Sequence, residues 1–489
     1  MDQPVESAVR GVTWNRRSTR RRPGRRLAVA MATSVLAAVG IAVVPPASAL
    51  LGPLPDLASI EQVIRAGLTT GTGQGVDVAL LDTGVTPVQG LDARDKVLYG
   101  PDLSFDSQDP KLAYVDGYGH GTAMAGIIAG NDGLGPLGYQ GVAPNARIVS
   151  VKVGSTNGAT DVSQMIAGID WIVQHAHDPG MNIRVLNLSL GTSSTQYYAS
   201  DPLAQAAENA WHHGIVVVVA AGNDNTTSNS VADPATDPYV IAVGAEDPMG
   251  TILAADDTVP AFSQRGTGSR HPDLVAPGVS IMGLLSPGST LATQYPAGII
   301  GGRFFRGSGT SQAAALTSGA VADMLSLNPV LTPDQVKNAL MSSATRISNN
   351  NPNYVGSGLL NLAGAESVRP TTQTQSFPPS NGSGSLELAR GGNHVSAGGV
   401  TLTGEQDIFA SPWVPSVMVP LEQSATAWNG GVYNGVTWSG NTWTGVTWSG
   451  VTWSGVTWSG VTWSGATWSG VTWSGATWSG ATWSGSSWS

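Results

Sequence analysis

The chain has no cysteine among its 489 residues. That excludes a disulfide framework and any Cys-ligated metal. Charge is scarce too: only 11% of residues are Asp, Glu, Lys or Arg. The rarer sign is positive, with 23 Lys+Arg against 33 Asp+Glu. Eight of the 23 are arginines within the first 26 residues. An uncharged run, residues 27–44, follows, then Pro45, Pro46 and the small triplet Ala47-Ser48-Ala49. A basic head, an apolar middle and an A-x-A site make residues 1–49 a secretory leader. An anchoring helix is the alternative, since the run is borderline in length for a membrane span; the two prolines favour cleavage. The paired arginines loosely suit a twin-arginine export route. Losing the leader removes eight basic and two acidic residues, leaving 15 against 31 and a net charge of −16. No nucleic-acid partner is expected of so acidic a chain, because phosphate binding takes clustered Lys and Arg. The expected location is outside the cell, with or without attachment to its surface.

What the chain does have is apolar content, 41%, enough for a large core. Apolar runs at 76–82, 146–153, 183–190, 215–222 and 239–245 read as strands buried on both faces. Helical spacing occupies 161–176 and 201–214. A third helix at 332–344 opens with a capping box, Thr332 to Gln335, and Pro333 at its first position. Strand–helix alternation implies an α/β fold, a doubly wound and mostly parallel sheet flanked by helices. Ligands of such folds gather at the carboxyl ends of the strands. Composition then divides the chain into 1–49, the leader; 50–368, the α/β domain; 369–427, a Pro/Gly/Ser-rich linker with a short strand-forming segment; and 428–489, a Trp-rich tail.

Three short stretches stand at strand ends or helix starts. "VALLDTGV" ends a strand at Asp82, "GYGHGTAMAG" sets His120 between glycines, and "GSGTSQAAA" sets Ser311 behind a Gly-rich turn. Singly, each has an ordinary structural explanation: a turn, a packed loop, a helix cap. Together they are the members of a nucleophilic triad. A serine hydroxyl needs an imidazole to take its proton, and the imidazole needs a carboxylate to fix its tautomer. The chain order Asp, His, Ser is that of subtilisin, unlike chymotrypsin or the α/β-hydrolases.

On these motifs the chain resembles the subtilisin-like serine peptidases over roughly residues 70–346. The resemblance implies a serine endopeptidase acting on protein or peptide substrates through an acyl-enzyme. Asp82 would orient, His120 would serve as general base and acid, and Ser311 would attack. "VVAAGND" (218–224) matches the block that gives the oxyanion-hole side chain, hence Asn223. "NLSLG" (187–191) and "AAGN" (220–223) match substrate-binding segments, hence Ser189, Leu190, Gly191, Ala221 and Gly222. Gln312, Ala315, Leu316 and Ala123 depart from the family's usual residues, and none has a proton-transfer role. The chemistry needs no cofactor. Relatives often bind structural calcium, which the sequence does not place; the acidic loops "PDLSFDSQDP" and "AADD" read as solvated. The family is usually made with an inhibitory pro-domain, and residues 50–81 are too few to form one.

From Trp428 an aromatic residue recurs every five residues in the unit V/A-T-W-S-G. An odd period sends successive rings to opposite faces of a flat strand. The unit resembles pentapeptide-repeat quadrilateral β-helices, about three coils of four faces. A flexible low-complexity tail and an aromatic array on wall polysaccharide are the alternatives, and with them a surface-binding protein whose peptidase domain is dispensable.

Overall fold

In the computed structural model the described residues run from 57 to 438, with gaps at 110, 136–137, 225–229, 349–350 and 398–399; beyond 438 only short strands are described. The leader lies outside the described residues. Seven parallel strands form the main sheet: β1 (Asp77–Asp82), β2 (Val97–Asp102), β3 (Arg147–Lys152), β4 (Ile183–Leu188), β5 (Val216–Ala220), β6 (Ile241–Glu246) and β7 (Leu274–Pro277), in the order β2-β3-β1-β4-β5-β6-β7. β1, β5 and β6 are buried at every position. That is why they read as unbroken apolar runs instead of alternating ones. Asp77 and Arg147 stand opposite each other in the β1–β3 register and form a two-pronged ion pair, 2.6 Å on each arm.

Around the sheet lie α1 (Leu57–Val63), α2 (His120–Ala129), α3 (Val162–His175), α4 (Pro202–His212), α5 (Thr290–Gln294), α6 (Thr310–Leu327), α7 (Pro333–Ser343), α8 (Pro352–Val355) and α9 (Leu362–Ser367). A small antiparallel sheet, β8 (Ile281–Leu284), β9 (Ile299–Ile300) and β10 (Phe304–Gly307), leads into α6. Thr332 and Gln335 make the expected capping box on α7, and Asp161 with Gln164 makes a second on α3. α6 is buried from Thr310 to Leu325.

The acidic loop after β2 is not solvated. Asp102 and Asp106 are buried, and Asp106 accepts from Lys152 Nζ at 2.9 Å and from Thr156 at 2.8 Å. In "AADD", Asp257 is fully buried. The lone Lys152, itself buried at the end of β3, draws the first loop inward.

Residues 369–438, which composition assigns to a linker and the start of the tail, form a strap over α3 and α4. Tyr239 stacks edge-on to Phe377, and the Ser380 N–H donates to Glu208. The strap continues through α10 (Leu386–Arg390) and α11 (Pro415–Gln423). Arg390 and Asp161, both 0% exposed, form an ion pair at 2.7 Å. Asp161 thus caps α3 and holds the strap with the same carboxylate. Trp428 donates its indole N–H to the Ala167 carbonyl, and the Tyr433 hydroxyl donates to Asp170. Phe409, Trp428, Tyr433 and Trp438 pack as one aromatic cluster. The first aromatic repeats are therefore core residues of the α/β unit, not tail.

Burial pushes the Asp170 carboxyl from 3.8 up to about 8, and it raises Glu422 beside it as well. An acid whose folded pKa lies above its unfolded one stabilises fully below the unfolded value and loses that contribution as pH climbs to the folded one. The Asp170 contribution should thus fade between about pH 4 and pH 8. Asp170→Asn keeps the acceptor for Tyr433 and removes the titration. Thermal melts should show a flatter pH dependence over that window and a higher Tm than the parent at pH 9. Superimposable curves would remove Asp170 as the cause.

Beyond residue 438, two- and three-residue strands pair in parallel with the strand twenty residues on: Thr447 with Thr467, Thr452 with Thr472, Thr457 with Thr477, Thr462 with Thr482 and Thr467 with Ser487. Four pentapeptides separate each strand from its partner.

Candidate active site

The three singled-out residues come from three elements at the carboxyl end of the sheet. Asp82 is the last residue of β1, His120 the first of α2, and Ser311 the second of α6. Gly119, the N-cap of α2, has φ +104°, and a Cβ there would lie 2.5 Å from Ser289 Oγ. Only glycine delivers His120 to the helix start at this angle.

His120 and Asp82 are 0% and 2% exposed, with Nδ1 at 2.8 and 2.9 Å from the two carboxylate oxygens. A carboxylate only accepts, so Nδ1 carries the proton and Nε2 is the basic nitrogen. Nε2 is buried and has no hydrogen-bond partner among the described residues. Ser311 Oγ donates instead to the Ser189 carbonyl at 3.2 Å. The Asp82–His120 pair is therefore assembled, and the Ser311 hydroxyl is bonded elsewhere.

Motif reading missed the residues that hold this pair. The Asp82 carboxylate also accepts from Thr83 N at 2.7 Å, and the Thr83 hydroxyl donates to buried Asp116 at 2.7 Å. Asp116 accepts from the N–H groups of Gly119 and Thr122, both at 2.7 Å, which caps α2 under His120. Burial raises the Asp116 pKa, while these hydrogen bonds oppose the rise. The signal was an Asp four residues before the His, ordinary in a turn.

Asn223 sits across from Ser311. Its Oδ1 accepts from Thr310 N at 2.9 Å and Thr310 Oγ1 at 3.0 Å. Fixing the oxygen fixes the whole planar amide. Ser189 Oγ donates to the Ser311 carbonyl at 3.1 Å and accepts from Asn187, which is tied to Ser318. These bonds lock the 187–189 segment to α6. A cavity of about 260 Å³ opens beside Ser311 and Asn223, lined among others by Ser189, Leu190, Gly191 and Gly222. Ala221 is not part of its wall: it is fully buried, with its N–H on Val243 and its carbonyl on Ala232. Ala220 lines the cavity instead.

Among the described residues no group of three His, Asp or Glu side chains is set to hold a metal. The buried acids of the loop after β2 are satisfied by Ser104, Tyr114 N, Lys152 and Thr156.

The sequence pattern of the subtilase family matches residues 73–365. The chain belongs to the subtilase family. This subtilase is 37% identical to the serine protease AprX of Bacillus subtilis (strain 168) over 319 residues, 64% of the chain and 71% of AprX. It is 36% identical to subtilisin Savinase of Lederbergia lenta, over 60% of the chain and 91% of that protein. Among solved structures it is similar to fervidolysin from Fervidobacterium pennivorans, described as a keratinolytic enzyme related to subtilisin, with a TM-score of 0.54 and 28% identity. That match covers 68% of the subtilase and 51% of the fervidolysin chain. The subtilase is a serine-type endopeptidase. Among its described residues no helix is long and apolar enough to cross a membrane.

Proposed function

We propose that this subtilase hydrolyses peptide bonds with Asp82, His120 and Ser311 as its triad, through an acyl-enzyme, and that it acts outside the cell on protein substrates. The observation that carries the reading is the state of His120. Its Nδ1 is committed to Asp82, and its Nε2 is a buried nitrogen with no hydrogen-bond partner among the described residues. An imidazole fixed at one nitrogen and uncommitted at the other is the arrangement a general base requires.

Rotation of Ser311 about χ1 would move Oγ from the Ser189 carbonyl to Nε2. His120 then takes the hydroxyl proton as Oγ attacks the scissile carbonyl, and Asp82 stabilises the imidazolium. Negative charge develops on the carbonyl oxygen. Asn223, held through its Oδ1, would present its amide N–H to it, with the first turn of α6 adding its N–H groups and positive field. His120 next protonates the leaving amine, and water repeats the sequence to release the acyl group. Ser189–Gly191 would pair with the substrate backbone as an added strand.

The leader belongs to the same reading, as the export signal. So does the tail: parallel pairing at a spacing of four pentapeptides supports a coiled stack, whose aromatic units would contact a cell-wall or other surface polymer.

A fluorophosphonate probe is expected to label the parent chain at Ser311, as located by peptide mapping, and to leave Ser311→Ala unlabelled. Labelling of the alanine variant at equal rate would remove Ser311 as the nucleophile.

A further inference from the structure

The cavity beside Ser311 is not built by the α/β domain alone. Gly392 and Asn393, from the strap, line it together with Ser189, Gly191, Asn223 and Ala232. Its 260 Å³ is roughly nine times the volume share of a water molecule in the liquid. That is room for a large side chain.

The strap reaches this place by specific bonds. Thr192 Oγ1 donates to the Ala389 carbonyl at 2.6 Å, and the Gly392 N–H donates to Ser193 Oγ at 2.9 Å. Gly391 has φ +59°, and a Cβ on it would lie 2.5 Å from the Ser193 carbonyl carbon. The strap therefore turns tightly against the backbone of the substrate-binding segment, as only glycine permits. Asn393 follows, its Oδ1 3.5 Å from Ser193 Oγ. Three residues earlier, Arg390 is anchored on Asp161 with no exposed side-chain surface on either partner. A loop rim would be mobile; this one is fastened to a buried ion pair on α3.

We propose that the strap supplies the outer wall of the pocket that receives the substrate side chain next to the scissile bond, and that Asn393 sets which side chains enter. This rests on the peptidase reading above, since the pocket takes its meaning from Ser311 and Asn223. Several of the remaining walls are small, from Gly191, Ala220, Gly222 and Ala232, and acidic Asp224 also lines the cavity. Large side chains that are not acidic are the class that fits. Asn393 closes the mouth with a polar, uncharged amide.

Two variants of the full chain test it on peptide p-nitroanilides that differ only in the residue before the bond. Asn393→Trp narrows the mouth, so the ratio of kcat/KM for Phe over Ala should fall at least tenfold, the order that pocket-size changes produce (about 10–200-fold). Asn393→Asp adds a negative charge, so the ratio for Lys over Phe should rise about fivefold, shrinking with added salt. A change in rate common to all substrates would mark a structural role and overturn the proposal, as would ratios within twofold of the parent in either variant. Complete fluorophosphonate labelling of Ser311 shows a variant to be folded. Loss of labelling in the parent would instead overturn the peptidase reading and leave the pocket geometry as it is.

Discussion

A chain ending at Val368 is expected to have no folded peptidase domain, although it keeps every strand of the main sheet and Asp82, His120 and Ser311. Without Arg390 the fully buried Asp161 loses its ion-pair partner. Removing one member of a buried pair costs about 3–5 kcal/mol. Glu208 and Asp170 lose Ser380 N and Tyr433, and α3 and α4 are stripped of Leu386, Phe409, Met418 and Trp428, all buried. Burying each such side chain contributes about 1.5–3 kcal/mol. Together these losses, about 9–17 kcal/mol, match the roughly 5–15 kcal/mol by which a domain is stable. A chain ending at Trp438 keeps all of these contacts. It should give a cooperative melt by circular dichroism and hydrolyse casein as the full chain does. A folded, active chain ending at Val368 would show that the strap only decorates the domain.

Ser311→Ala and His120→Ala should each lower kcat by on the order of 10⁶, and the double variant by no more than either alone, because triad members act as a unit. Residual activity should stay above the uncatalysed rate by about 10³–10⁴, the share left to oxyanion stabilisation and binding. Casein hydrolysis and kcat on a peptide anilide read this out, with circular dichroism confirming the fold. Additive losses would mean that Ser311 and His120 act in separate steps, and the triad assignment would fall.

Five of the seven strands were readable because burial on both faces leaves few polar residues to break the run, as in the all-Val stretch of β5; partly exposed β2 and four-residue β7 carry no such run. Helix α7 was readable because Thr332, Pro333 and Gln335 cap locally, without help from distant residues. The strap was not. Its Gly- and Pro-rich composition shows no helical period, and its place in the fold depends on single residues such as Arg390 and Trp428 meeting partners more than two hundred positions away. The same applies to Lys152, which turned an apparently solvated acidic loop into buried structure. At the site, the motifs marked Asp82, His120 and Ser311 but not Asp116, whose task is to hold backbone N–H groups. The rotamer of Ser311, bonded to Ser189 instead of His120, was beyond any motif.

The strap's position at the end of the described fold also bears on how the protein is made. Synthesis runs from the amino end, so Asp82, His120 and Ser311 all emerge well before Arg390 and Tyr433. Until those last residues emerge, Asp161 and Asp170 have nothing to cover them, and the cavity has no outer wall. The frame that aims these three groups is thus completed only by residues made after all of them.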